Sequence, residues 1–64
     1  MITQYGPKVR VVCEGSPFEG PDIFVEVLIA GEWSEYANFN SLSNDWAYTS
    51  AKELAMSLEK SHAN

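Results

Sequence analysis

A glycine-bracketed segment, EGSPFEGPD, has the approximate spacing of a phosphate-binding loop. Gly15 and Gly20 enclose four residues just after an apolar run. A loop of that kind needs Lys and Ser or Thr after the second glycine, inward-pointing backbone N–H groups and a following helix. Here Pro21, which has no N–H, and Asp22 follow, and the next element is a predicted strand. The segment is therefore interpreted as a wide, stiff connection between two strands, and no small-molecule ligand or cofactor is expected.

The residues most often used in catalysis and metal binding are sparse. Cys13 is the only cysteine and His62 the only histidine, whereas a closed zinc site takes four ligands and a disulfide takes two cysteines. Cys13 is expected to be an inward, inert strand residue, and His62 a solvated or capping residue. Glu35 is a single carboxylate, and no second acid, metal ligand set or base accompanies it to support a catalytic mechanism. We therefore predict no metal site and no enzyme activity.

The charge balance is acidic, with nine carboxylates against four cations and a net charge of −5. Nucleic-acid binding depends on phosphate neutralisation by Lys and Arg, so this balance disfavours it. The amino-terminal residues lack the apolar core of a signal peptide, no apolar run reaches membrane-spanning length, and there is a single cysteine. These features predict a cytoplasmic protein without a membrane association.

The apolar pattern changes its period once along the chain, which predicts an α+β fold. Residues 8–39 alternate with a period of two, typical of strands, and the residues beyond Asn40 follow a helical period. The prediction is a single domain over residues 1–64, with a three-stranded antiparallel meander and one carboxy-terminal amphipathic helix packed on one face (βββα). The predicted strands span about 8–14, 22–30 and 33–39, and the predicted helix about 44–61.

The register of the second hairpin depends on its loop length. A three-residue loop gives the pairs Ile29–Trp33, Val25–Ala37 and Ile23–Phe39, which gather apolar residues on the face that the helix is predicted to cover. A two-residue loop at Ala30 and Gly31 puts Glu26 directly across from Glu35, a like-charge pair that is unfavourable. We therefore favour the three-residue loop, in which Glu35 points toward the helix-covered face.

The helix has a regular apolar stripe, but its start is open. The stripe consists of Ala47, Ala51, Leu54, Ala55, Leu58 and His62. Ser43 is one candidate cap, and Ser50 with Glu53 forms a second candidate, a capping box. The continuity of the stripe back to Ala47 favours the longer helix.

One helix covers only one face of a sheet, so the other face indicates how the protein is used. Its predicted residues are Val12, Phe24, Leu28 and Tyr36 among Lys8, Arg10, Glu26 and Ser34. A solvated face is expected to be polar, and an apolar patch with a charged rim is typical of a partner-binding surface. Two other interpretations stay open, namely ordinary scattered exposure and coverage by the amino-terminal ITQYGP segment.

Two further aromatic residues are candidate contacts. Trp46 and Tyr48 cannot both lie in the core stripe with Ala47, because consecutive helical residues point about 100° apart. Trp46 therefore either packs at the core or is an exposed contact residue. Phe18 is the one large apolar residue of the EGSPFEGPD segment, and it either plugs an end of the core or projects as a contact tip. The candidate protein-binding residues are Phe24, Leu28, Tyr36, Val12, Arg10, Trp46 and Phe18.

These features together predict a small, acidic, non-enzymatic interaction protein. Its partner is another protein, either a larger one that it inhibits or modulates or a second copy of the same chain. Small virus-encoded accessory proteins offer an analogy in size and charge only. The alternative prediction is a nucleic-acid mimic or a module that binds single-stranded nucleic acid through sheet aromatics.

Overall fold

A computed structural model describes residues 1–16, 20–39 and 44–62 of the chain. The elements are β1 (Ile2–Tyr5), β2 (Val9–Ser16), β3 (Gly20–Ile29), β4 (Glu32–Asn38) and α1 (Asn44–His62). The strands form one antiparallel sheet in the order β1-β2-β3-β4. The predicted α+β class and the carboxy-terminal helix are therefore confirmed, but the predicted count of three strands is wrong, because the described residues contain four.

The additional strand, β1, comes from the amino-terminal segment, which pairs edge-on with β2 instead of folding over the sheet. The pairing begins at Ile2↔Val12, and the amino group of Met1 donates a hydrogen bond to the Cys13 carbonyl at 2.7 Å. Gly6, with φ of 75°, takes the left-handed conformation in the turn that follows. Four residues of alternating pattern are too few to distinguish such a strand from a covering segment.

The pairing of β2 with β3 extends into the segment that was predicted to be a wide connection. The two strands stay in register as far as Ser16↔Gly20, so only residues 17–19 join them. Pro21, across from Gly15, belongs to β3 and not to a loop. The interpretation of EGSPFEGPD as a wide connection is therefore wrong, because pairing continues through most of that segment.

The β3–β4 hairpin combines features of both predicted registers. Ile29 pairs with Glu32 across the two-residue turn of Ala30 and Gly31, whose φ angles are 53° and 82°. Positive φ at both central positions is the signature of a type I′ turn, whose twist matches that of the strands. The preferred three-residue loop is therefore wrong.

A β-bulge restores part of the expected register further along this hairpin. The pairing moves from Glu26↔Glu35 to Val25↔Ala37, so that Tyr36 is the extra residue on β4. Beyond the bulge, Phe39 N donates to the Ile23 carbonyl oxygen at 2.8 Å. The predicted pairing of Val25 with Ala37 is thereby confirmed, and the bulge reconciles a two-residue turn with apolar pairs farther from it.

The bulge also changes which side chains face the helix. Cross-strand partners lie on the same side of an antiparallel sheet. Because Trp33 pairs with Leu28, and Glu35 with Glu26, both lie on the face away from the helix. The predictions that Trp33 and Glu35 point toward the helix are wrong for this reason, as is the prediction of Ser34 on the uncovered face, since Ser34 pairs with Val27.

The core lies between α1 and the inner strands, chiefly β2 and β3. The strand residues of the core are Val9, Val11, Ile23, Val25 and Val27, and its helix residues are Ala47, Ala51 and Ala55. All three alanines are fully buried, and their small side chains allow the helix to approach the sheet closely. Among the predicted core residues, Ile29 is 59% exposed at the end of β3. The larger Leu54 and Leu58 pack at the margin of this core.

Candidate protein-binding surface

The sheet face turned away from α1, called the open face below, has no element packed on it among the described residues. The register assigns to it Ile2, Gln4, Arg10, Val12, Glu14, Asp22, Phe24, Glu26, Leu28, Trp33, Glu35 and Asn38. Lys8 extends this set, because Leu28 N donates to the Lys8 carbonyl oxygen at 2.8 Å and so continues the β2–β3 ladder by one position.

Arg10 organises the centre of the open face. Its Nε donates to Glu26 Oε1 at 2.6 Å, and its guanidinium carbon lies 4.2 Å from the centroid of the Trp33 ring. The Arg10 and Glu26 side chains retain only 24% and 19% of their exposure. Arg10 on β2 therefore reaches across β3 to an aromatic ring on β4, and its charge is neutralised by Glu26 along the way.

The apolar residues of the open face differ in the surface that they offer. Phe24 and Leu28 are half-buried, and Ile2 at the sheet edge is 57% exposed. Val12, between Ile2 and Phe24, retains only 5% of its exposure. Val12 thus supports its neighbours and has little area of its own to give a partner.

The three remaining candidate residues lie elsewhere. Tyr36, at the β4 bulge, is 56% exposed at the sheet edge beside the open face. Trp46 is 70% exposed, but it belongs to α1, on the other side of the sheet. Phe18 lies outside the described residues. The structure therefore brings Arg10, Phe24 and Leu28 together and separates Trp46 from them.

The charged side chains of the open face are distributed unevenly along the strand direction. Glu14 and Asp22 are cross-strand partners at the end nearest the β2–β3 turn, and both are exposed. Lys8 lies at the opposite end, beside Leu28. Between these ends, Arg10 and Glu26 neutralise each other and Glu35 is exposed. The side chains therefore form an acidic end and a basic end, and the Met1 ammonium, which donates to the Cys13 carbonyl, lies beside the acidic end.

Sequence reasoning missed Trp33 as an open-face residue. The two-residue turn places it beside Leu28, but the same register puts Glu26 directly across from Glu35, which made that turn the less favoured prediction. The overlooked signal was Arg10, since the alternation of the first strand already placed a cation on the same face as Glu26. A cation there offsets the repulsion that argued against the register.

On the helix-covered side, one titratable group of the described residues has a perturbed pKa. Burial, together with the neighbouring Tyr48 and a hydrogen bond to its side chain, raises the pKa of the Tyr5 phenol. Cys13 lies partly buried against the core. In the part of the chain that the structure describes, no three His, Cys, Asp or Glu side chains are grouped so that they would hold a metal ion.

Comparisons with protein-family models, with curated proteins and with solved structures found no match for this chain. Within residues 1–16, 20–39 and 44–62, no helix has both the length and the apolar character needed to cross a membrane. The function is therefore inferred from the geometry and charge of the open face.

Proposed function

We propose that this chain is a small, non-enzymatic interaction domain that binds another protein through the open face of its sheet. The observation that carries the proposal is the grouping of Phe24, Leu28 and Trp33 around Arg10 on the face opposite α1. Aromatic residues and arginine are enriched in protein interfaces and dominate their binding energy.

The fixed position of the Arg10 side chain favours a protein as the partner. Its guanidinium is held between a carboxylate and an indole ring, so it is ordered before any partner arrives. A side chain that is already fixed loses little conformational entropy on binding. The neutral Arg10–Glu26 pair also allows desolvation of the centre at a lower cost than an isolated charge would impose.

The same geometry argues against single-stranded nucleic acid as the ligand. Arg10 is engaged by Glu26, and the exposed Glu14, Asp22 and Glu35 lie on the same face. A strand of phosphates laid across this face would meet more carboxylates than available cations.

A quantitative capture experiment with matched variants tests the proposal. Phe24→Ala removes a half-buried phenyl ring from the open face, whereas Met56→Ala truncates a side chain that is 49% exposed on α1. We expect Phe24→Ala to reduce the recovery of specifically bound proteins about tenfold or more and Met56→Ala to leave it unchanged, because open-face anchors dominate the binding. Trp46→Ala tests the second aromatic candidate in the same experiment. If the folded Phe24→Ala protein retains every partner, the proposal is wrong, and a loss confined to Trp46→Ala would move the binding surface to α1.

Mimicry of nucleic acid is the second candidate, favoured by the placement of four of the nine carboxylates, Glu14, Asp22, Glu26 and Glu35, on the open face. A mimic binds a basic groove mainly through charge, so its affinity is expected to collapse as salt rises. Docking through Phe24, Leu28 and Trp33 is expected to persist in high salt. Repeating the capture at low and high ionic strength therefore separates the two functions.

A further inference from the structure

We propose that the occupant of the open face is a second copy of this chain, packed face to face with its strands antiparallel to those of the first. This inference rests on the proposed function, because it names the partner of that same surface. It follows from the charge layout of the face and from its area.

The charge layout selects one two-fold arrangement. An axis parallel to the strands would stack Glu14 and Asp22 on the same carboxylates of the second copy, which is unfavourable. An axis in the interface but perpendicular to the strands places the acidic end of one copy over the basic end of the other. Because that rotation keeps each strand above its own equivalent, Glu14 on β2 meets Lys8, the residue that precedes β2, in the second copy.

Asp22, the cross-strand partner of Glu14, lies over Leu28 of the second copy about this axis and beside its Lys8. Arg10 and Glu26 form an internal pair in each copy and need no partner. Glu35 is the cross-strand partner of Glu26, and Asn38 is the partner of Phe24. The rotation places the Glu26–Glu35 pair of one copy over the Phe24–Asn38 pair of the other. A two-fold interface must be self-complementary, and a face with one acidic and one basic end satisfies this requirement.

The area of the face predicts a weak and reversible dimer. At about 3.3 Å per residue and about 4.8 Å between strands, the four strands cover on the order of 500 Å² in projection. Standard stable interfaces bury about 800 Å² on each partner. We therefore expect a weak affinity, in the class of transient association.

Sedimentation equilibrium over about 10 µM to about 1 mM tests the proposal. The expected result is an average mass that rises from the 7.1 kDa of one chain toward twice that value. A mass that stays at one chain throughout overturns the inference. In that case, loss of captured proteins on Phe24→Ala would still support the proposed function with a different partner.

Charge-swap variants test the arrangement itself. Lys8→Glu and Glu14→Lys are each expected to weaken the dimer at least about tenfold, and the double variant Lys8→Glu/Glu14→Lys to return to within about threefold of the original, because the swap re-forms both contacts. Lys52→Glu and Glu53→Lys make the same changes in net charge at exposed helix positions and serve as controls. Dimerisation that is unaffected by Lys8→Glu, or weakened equally by Lys52→Glu, overturns the proposal.

Discussion

Glu35 lies directly across from Glu26 in the β3–β4 hairpin, and Arg10 holds Glu26 from the other side at 2.6 Å. Like charges directly opposite each other destabilise a sheet. The register is nevertheless adopted, because Arg10 neutralises Glu26 and the exposed Glu35 remains in water. A residue on β2 thus contributes to the register of a hairpin to which it does not belong.

Removal of Arg10 should destabilise the fold by more than removal of the charge on Glu26. Arg10→Ala leaves the mostly buried Glu26 carboxylate unpaired and facing Glu35, with an expected loss of about 1–3 kcal/mol in the free energy of unfolding. Glu26→Gln keeps the shape and removes both the pair and the repulsion, so its expected cost is about 1 kcal/mol or less. Urea denaturation measures both variants and the double variant.

The double variant supplies the control. Arg10→Ala destabilises the fold because it leaves the Glu26 carboxylate unpaired. Adding Glu26→Gln to Arg10→Ala should therefore recover part of the lost free energy of unfolding. Strictly additive losses would show that Arg10 and Glu26 act independently and that the explanation of the register is wrong.

Elimination of the charge on Glu35 provides a separate test of the same explanation. Glu35→Gln should raise the free energy of unfolding by a few tenths of a kcal/mol in the original protein, and by more in the Arg10→Ala protein. The measurement is urea denaturation in both backgrounds at low salt, where screening is weakest. Equal effects in the two backgrounds would contradict the role assigned to Arg10.

The sequence was sufficient for the long periodic elements and insufficient for the hairpin details. Apolar alternation identified the strands that carry Val11 and Val25, and the helical stripe identified the buried alanines of α1. Prediction from the sequence failed where two interactions of about 1 kcal/mol favour different structures. At Ala30, the preference for a type I′ turn competes with the repulsion between Glu26 and Glu35. The bulge at Tyr36 shifts the alternation by one residue, which no strictly periodic pattern represents.

Ala30 is poorly suited to its turn, so replacing it should stabilise the protein. Its φ of 53° lies in the left-handed region, where an alanine side chain is strained by about 1–2 kcal/mol. Ala30→Asn creates the Asn-Gly pair that type I′ turns prefer and should raise the free energy of unfolding by about 0.5–1 kcal/mol. Thermal unfolding checks this gain. Ala30→Val is the contrasting control, because a β-branched residue at this φ should destabilise, and a stability gain from it would contradict the turn assignment.

The close helix–sheet contact at Ala51 should tolerate no enlargement. Ala51 is fully buried at the centre of the alanine stripe, so Ala51→Leu forces α1 away from the sheet at an expected cost of about 1–3 kcal/mol. Lys52→Leu places the same side chain at the next, exposed position and should change the free energy of unfolding by no more than about 0.5 kcal/mol. Equal effects from the two leucines in urea denaturation would contradict the described packing.

Tyr5 should make the stability pH-dependent in the alkaline range. Its pKa in the folded protein is raised above the ordinary 10.0 by burial and by Tyr48, so the fold favours the protonated phenol. That stabilisation is complete below pH 10.0 and is lost as the pH rises through the higher folded pKa. Tyr5→Phe should therefore flatten the fall of melting temperature above pH 10.0. An unchanged slope in Tyr5→Phe, or an equal flattening by Tyr36→Phe, would contradict this expectation.

The candidate surface was only partly predictable from the sequence. Alternation within one strand placed Phe24 and Leu28 on a shared face. Because the sequence predicts a single helix, which covers one face of the sheet, this face was predicted to be uncovered. Trp33 could not be assigned, because its side depends on a single residue of hairpin register. Helical geometry left Trp46 open between core packing and exposure. Both its 70% exposure and its separation from the other candidates required the packing of α1 on the sheet.

The two tryptophans give the most direct test of the central claim, because one lies on the open face and the other on the helix. The claim is that the open face is the binding surface, with a second copy as its occupant. In a dilution series of NMR spectra from about 1 mM to about 10 µM, the Trp33 indole N–H resonance should shift with concentration while that of Trp46 stays fixed. A Trp46 resonance that shifts beside an unmoved Trp33 resonance, or two resonances that both stay fixed, would contradict the account.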